Sequence, residues 1–314
     1  GYDPNNSFTD YKPQINLAPR ISFSFPISTS ALFYAHYDLI VQRPKTNVFT
    51  SPLDYFTMSQ NAQQVINNPD LKPEKLIDYE MGFQQKLTDN SALTLSFFYK
   101  ERKDMIQVRP YLYAYPITYY TYGNRDFSTT KGVSMKYDLR RLGHLRMNLN
   151  YTLQFAEGTG SNANSANGGS SFISSGGLLQ NFIAASLPNL RYVTPLSYDS
   201  RHNIVANIDY RYEDKEGPVL AGKHFLENAG FNLVMRARSG EPYTSYVQAA
   251  SNIVNGGVNG SRLPWHFMMD VRFDKDFMLT KKSTTSKGLL KQGIALNAFV
   301  YVSNLLNIKD VLGV

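Results

Sequence analysis

The 314-residue chain contains no cysteine. That absence removes disulfide frameworks, thiolate zinc sites and cysteine nucleophiles. It also has no apolar run near the ~18 residues that a membrane-spanning helix needs, which excludes a helical membrane protein. The opening residues, GYDPNNSFTD, lack the charged start and apolar middle of a secretory leader. The net charge is +7, but the basic residues are scattered rather than clustered. No nucleic-acid partner is expected from that pattern. The five histidines, His36, His144, His202, His224 and His266, show no HExxH or other close ligand spacing. No metal site and no cofactor are therefore expected. No Gly-x-Ser-x-Gly elbow surrounds a serine, and catalytic activity is not expected. The glycine-rich NGGVNGS (255–261) lacks the ending of a phosphate loop and reads as a flexible loop.

What is abundant is aromatic character and a beat of two. The chain has 22 Tyr and 19 Phe against one Trp, a bias that suits β-sheet or a membrane interface. In HLRMNLNYTLQF (144–155), Leu145, Met147, Leu149, Tyr151, Leu153 and Phe155 are apolar and the residues between them are polar. Period two means a strand with one oily and one wet face. Such runs predict strands near 15–26, 29–42, 74–87, 91–109, 128–140, 144–157, 198–212, 228–242, 264–279 and 291–305. A stretch near 115–122 would extend a hairpin above the main sheet. In 91–109 the inward-phase Phe98 breaks the alternation.

A soluble sandwich turns its oily face into a core, whereas a membrane barrel turns it out to lipid. Length separates them. These runs reach about 12–16 residues, against ~5–6 for soluble strands and ~9–11 for membrane-crossing ones. Tight turns at 26–29, 88–91 and 141–143 alternate roughly with long polar connections at 43–73, 158–197 and 243–263. The expected architecture is all-β: an antiparallel transmembrane β-barrel. A one-residue slip would swap the faces and turn Arg146, Arg236 or Arg272 to lipid, costing about 2–4 kcal/mol each at mid-bilayer.

Three motifs carry a family resemblance. NNPDLKPEKLIDYEMGFQQKL (67–87) places Asn68, Leu71, Pro73, Glu74, Tyr79, Glu80, Gly82 and Phe83 where TonB-dependent outer-membrane receptors carry a signature of loop and strand. NAFVYVSNLLNIKDV (297–311) resembles that family's penultimate strand, with Asn304, Leu305, Leu306 and Asn307 as its Asn-Leu-Leu-Asn. LSYDSRHNIVANIDYRY (196–212) resembles another of its strands. LAPRISFSFPIST and LFYAHYDLIVQRP (within 17–44) most resemble the Oar-like branch of Bacteroidota. The resemblance implies a 22-stranded barrel in the Gram-negative outer membrane, plugged by an N-terminal domain and coupled to TonB. Residues 1–314 would supply about ten of its strands, as the C-terminal portion of the barrel without plug or closing strand. Its partners would be outer-membrane lipid and lipopolysaccharide, TonB through the N-terminal part, and a surface lipoprotein.

Two sets of residues are candidates for binding. Arg201, Asp209, Arg211, Arg236, Arg238, Asp270, Arg272 and Asp274 share the polar phase of consecutive strands and would line the lumen, meeting substrate or plug. Mixed charges on neighbouring strands also favour cross-strand ladders. Tyr111, Tyr113, Tyr115, Tyr119, Tyr120 and Tyr122 would form an extracellular aromatic hairpin that stacks on a ligand or packs on itself. The function implied is import of a bulky nutrient such as an oligosaccharide, peptide or metal chelate. The rival readings are a barrel that scaffolds surface lipoproteins and a soluble β-sandwich binding module.

Overall fold

The computed structural model describes residues 10, 12–45, 65–111, 119–163, 193–247, 253–254, 256–279, 283–284, 290–291 and 294–309. Ten long strands form one antiparallel sheet in chain order. They are β1 (Arg20–Pro26), β2 (Ala31–Gln42), β3 (Glu74–Thr88), β4 (Ser91–Tyr111), β5 (Tyr119–Leu142), β6 (Leu145–Gly158), β7 (His202–Arg211), β8 (Ala229–Arg238), β9 (His266–Met278) and β10 (Ala295–Val302). No helix long and apolar enough to cross a membrane occurs among the described residues.

The register carries side-chain parity across the whole sheet. One row runs Phe25, Phe33, Phe83, Leu95, Met135, Tyr151, Ile204, Ala237 and Phe267 from β1 to β9, each opposite the next. Directly opposed residues share a face, so the central band of one face is apolar across the sheet, with Lys75, Lys103, Lys131 and Lys275 toward its margins. No layer covers it among the described residues: Phe83, Phe97, Phe231, Phe273 and Phe277 are between 40% and 46% exposed. In water an uncovered face of this size would be an aggregation site; in a bilayer it is the required outer surface. The other sheets among the described residues are two-stranded, so no second sheet of sandwich size packs on this face among them.

Aromatic groups mark both ends of the apolar face. At the tight-turn end, His144, Tyr210 and Tyr212 cluster with ring centroids 5.1 to 5.5 Å apart. At the loop end, Trp265 stacks on His202 at 5.5 Å, and His202 meets the Tyr151 hydroxyl at 3.0 Å. His202 opens β7 and Tyr210 is its penultimate residue. Their eight-residue separation spans about 26 Å of strand at ~3.3 Å per residue, close to the ~25 Å apolar band of a barrel before tilt.

Several strand bounds differ from those expected. The first begins at Arg20 rather than 15, because Pro19 brings no N–H to the ladder; its carbonyl instead accepts from the Leu39 amide at 2.9 Å. The runs expected to end at 109 and begin at 128 are one continuous hairpin. Register shifts at Arg102/Met105 and Met105/Ile106 absorb the extra residues, with Asp104 at φ 56°, so pairing resumes above the bulge. β7 begins at His202, not 198, since Asp199 and Ser200 turn inward and are buried. β8 ends at Arg238 rather than 242, and Pro242–Tyr243 pairs instead with Ser261–Arg262 in a separate sheet. β10 stops at Val302 rather than 305, where Asn304 and Asn307 take positive φ. Within the 255–261 stretch read as a flexible loop, the described residues 256–261 are anchored: Asn259 is buried, takes its amide to the Thr244 hydroxyl at 3.0 Å, and donates from Nδ2 to Pro195 O at 2.7 Å.

Candidate functional site

The polar face is a set of short charge relays. Arg211, Gly230 and Asp274 are opposed in register across β7, β8 and β9. Arg211 Nη2 donates to both Asp274 oxygens at 3.0 and 2.8 Å. The side chain therefore crosses an entire strand, and it can because Gly230 has no side chain; a Cβ there would collide with the guanidinium. Arg272 Nε approaches the same carboxylate at 3.9 Å and sets its guanidinium 4.6 Å from the Phe299 ring. Arg236 donates to Asp270 at 2.7 Å. The other Asp270 oxygen accepts the Asn304 amide at 2.9 Å.

The eight candidate charges thus fall into separate groups. Arg211, Asp274 and Arg272 form one, and Arg236 with Asp270 another. Asp209 pairs with Arg141 at 2.9 Å, and Arg238 with Glu241 at 3.4 Å. Arg201 lies just ahead of β7, 3.6 Å from Asp199 and 5.2 Å over the Phe155 ring.

The family-motif residues divide by role. Tyr79 and Phe83 join the apolar face, in rows with Tyr37 (5.2 Å) and Phe33 (5.1 Å). Glu80 and Gly82 sit on the polar face. Tyr34 lies flat over Gly82, where a Cβ would fall 2.5 Å from the ring, and donates to Glu80 at 3.2 Å. Phe98 is explained the same way: its ring lies over Gly132, so the break in alternation places an aromatic on the polar face against a residue with no side chain. Asn304 Oδ1 accepts from the Ile308 amide at 3.1 Å and its Nδ2 donates to Ile308 O at 2.9 Å. Leu305 and Leu306 are half exposed beside it, and the Asn307 amide closes the turn on Asn304 O at 2.8 Å.

The first half of the same motif clamps the loop-end hairpin. Glu74 accepts the Ile106 amide freed by the bulge, at 2.7 Å. Asn68 Nδ2 donates to Tyr122 O at 2.8 Å. Leu71 is buried against Ile106, with Tyr122 and Ala163 packed around them; Pro73 beside it is buried too. Asn124 Oδ1 accepts from the Lys72 amide at 2.7 Å, while its Nδ2 donates to Lys72 O at 2.8 Å and Asp104 O at 2.7 Å. Of the six hairpin tyrosines, Tyr111 and Tyr119 stack at 5.1 Å and 14°. Tyr120 opposes Val65, and burial pushes the Tyr122 phenol pKa up. Tyr113 and Tyr115 lie outside the described residues.

Two nodes escaped the sequence reading. Asp199 is 1% exposed. Its Oδ1 accepts the Ala156 amide at 2.8 Å, its Oδ2 pairs with Arg262, and its carbonyl accepts from Arg262 at 2.6 Å. Asp199 stands within the 196–212 stretch that carries the family resemblance, but its partner Arg262 lies 63 residues away. The second node is Gln107, fully buried, donating to Asp126 at 2.8 Å; Asp126 also accepts from Thr159 at 2.9 Å. No group of three or more His, Cys, Asp or Glu suited to a metal occurs among the described residues.

Long antiparallel strands, a sheet with an uncovered apolar face and a salt-bridged polar one, and plain turns opposite elaborate loops define part of a transmembrane β-barrel of the Gram-negative outer membrane. The chain belongs to the TonB-dependent receptor family: residues 2–305 match "TonB dependent receptor-like, beta-barrel". The fold is shared with the pyoverdine outer membrane receptor FpvA of Pseudomonas aeruginosa (13% identity, TM-score 0.56, 93% of this chain and 32% of that one). It is shared with the outer membrane transporter YddB of Escherichia coli (14%, 0.53, 90% and 40%). A third such structure is the ferric-catecholate import receptor Fiu of E. coli (13%, 0.53, 93% and 31%). The chain thus spans less than half the length of each. No curated protein matches it in sequence. Proteins of this family are transporters rather than enzymes.

Proposed function

We propose that this chain forms the C-terminal portion of a receptor barrel that imports a bulky nutrient across the outer membrane, with TonB rearranging a plug in its lumen. The observation that carries the proposal is the polar face, whose long cations are held by carboxylates across neighbouring strands rather than left to solvent. Such a wall lines a lumen without collapsing into it. Leu145 to Phe155 in the apolar phase then meet lipid and lipopolysaccharide, and Arg146 to Gln154 in the polar phase meet plug or passing substrate. TonB contact belongs to the receptor's N-terminal part, and the long loops are the surface on which a lipoprotein partner would seat.

The substrate classes in keeping with this frame are an oligosaccharide, a peptide or a metal chelate. FpvA is seen bound to pyoverdine and Fiu imports ferric catecholate, which makes an iron chelate the first probe to try. The Oar-like placement within Bacteroidota rests on the 17–44 strand pair. The test is uptake of labelled candidates by cells with and without the full-length receptor, in backgrounds with and without TonB. Uptake that needs both supports import. A receptor that retains a surface lipoprotein on purification while no candidate enters would favour the scaffold instead.

A further inference from the structure

We propose that the base of the β4–β5 hairpin, above the bulge, is an oxyanion-binding site in which Arg109 and Arg125 receive a phosphate or carboxylate group. A concavity of about 390 Å³ opens there, bordered by both arginines, Lys72 and Tyr111. The site stands on the geometry of the hairpin alone, whether or not the barrel transports.

Arg109 is held for this purpose. Its guanidinium carbon lies 4.0 Å from the Tyr111 ring centroid, and Tyr111 stacks in turn on Tyr119. On its other side it leans on Gly123, where a Cβ would fall 3.2 Å from Nε. Ring and glycine together fix the plane of the fork, and a fixed planar fork is what bidentate oxyanion recognition requires. Nε is buried without a hydrogen-bond partner, an uncommon condition for a charged donor. No ion pair satisfies Arg109 or Arg125 among the described residues. Asp70 and Asp104 border the same concavity, but neither carboxylate forms an ion pair with Arg109 or Arg125 among the described residues. Burial and the neighbouring Arg125 charge pull the Arg109 pKa below its ordinary value. The two guanidinium groups repel each other, and an anion received between them would relieve that repulsion. The polar face shows the contrast: there Arg211, Arg236 and Arg141 each have a carboxylate.

The anion has two available sources, a soluble ligand and the phosphates of outer-leaflet lipid A. Calorimetric titration of the full-length receptor in detergent, with inorganic phosphate or citrate in one arm and lipid A-doped micelles in the other, separates them. Saturable binding of either probe is expected, weakened about tenfold by Arg125→Gln, a loss of ~1.4 kcal/mol. Arg109→Lys keeps the charge but loses the fork, and is expected to weaken binding similarly. Arg125 is exposed and its side chain makes no ion pair among the described residues, so its variant is expected to fold and to show the heat-modifiable gel mobility of the parent. Loss confined to phosphate or citrate assigns a soluble ligand; loss confined to lipid A assigns the headgroup. Absence of binding in both arms, or binding unchanged in Arg125→Gln, overturns the site.

Discussion

Arg211 reaches Asp274 by crossing over Gly230, so one ion pair spans three strands. Half of the pair is buried: the Asp274 side chain is 7% exposed. A carboxylate in that position depends on its partner, because an unpaired buried charge is costly.

Gly230→Leu is therefore expected to destabilise the barrel although it adds apolar volume to a strand. Asp274→Ala should do the same by removing the acceptor, each by about 1–3 kcal/mol. The double variant should cost less than the sum, since both changes break one interaction. Midpoints of urea unfolding in detergent, followed by heat-modifiable gel mobility, check this. Strict additivity would show that the crossing contributes nothing.

The two faces of β6 make opposite predictions for the same substitution. Leu149→Arg places a guanidinium on the apolar face and should cost about 2–4 kcal/mol or block insertion. Asn148→Arg, one residue earlier, should insert normally beside Asp138, whose carboxylate already accepts from Asn148 at 2.6 Å. Yields of inserted receptor in outer-membrane fractions compare them. Equal tolerance of both would remove the lipid-facing assignment.

Asp199→Ala strips the Ala156 amide of its acceptor and Arg262 of its carboxylate, leaving Arg262 only backbone carbonyls. A buried charge left unpaired typically costs about 3–5 kcal/mol. The expected consequence is local: release of the segments around 194–201 and 242–262, read as faster proteolysis there with the barrel strands still protected. Unchanged cleavage would mean that Arg262 finds another acceptor.

Trp265 is the single tryptophan and is 55% exposed at the loop end of the apolar face. An interfacial ring should be quenched more by lipids brominated near the headgroup than by those brominated near the chain end. Stronger quenching by the deep bromines would place the belt, and the membrane boundary, elsewhere.

Glu74→Ala leaves the Ile106 amide at the bulge without its acceptor. Loss of that bond, worth about 1–3 kcal/mol when the amide is buried, should loosen the hairpin above 104. Faster amide exchange at 105–111 with unchanged exchange at 92–100 is expected. Uniform exchange across β4 would show that the bulge needs no cap.

The alternation in 144–155 was enough to determine that β6 has two faces, since period two is local chemistry. Strand length and the rhythm of turns and loops then pointed to a barrel, because those features also survive in one dimension. Phe98 shows where one dimension stops. Its phase breaks the pattern, and nothing nearby in sequence announces that Gly132, across the hairpin, makes room for its ring. The same holds for the charges. Parity groups Arg211, Arg236, Asp270 and Asp274 in one phase, but register alone decides that Arg211 passes Gly230 while Asp209 turns to Arg141. Asp199 and Arg262 lie far apart in the chain and meet only because two loops fold over the same strand ends. Local periodicity determined which residues face together; which of them touch was decided by strand pairing, a long-range choice fixed by the whole sheet.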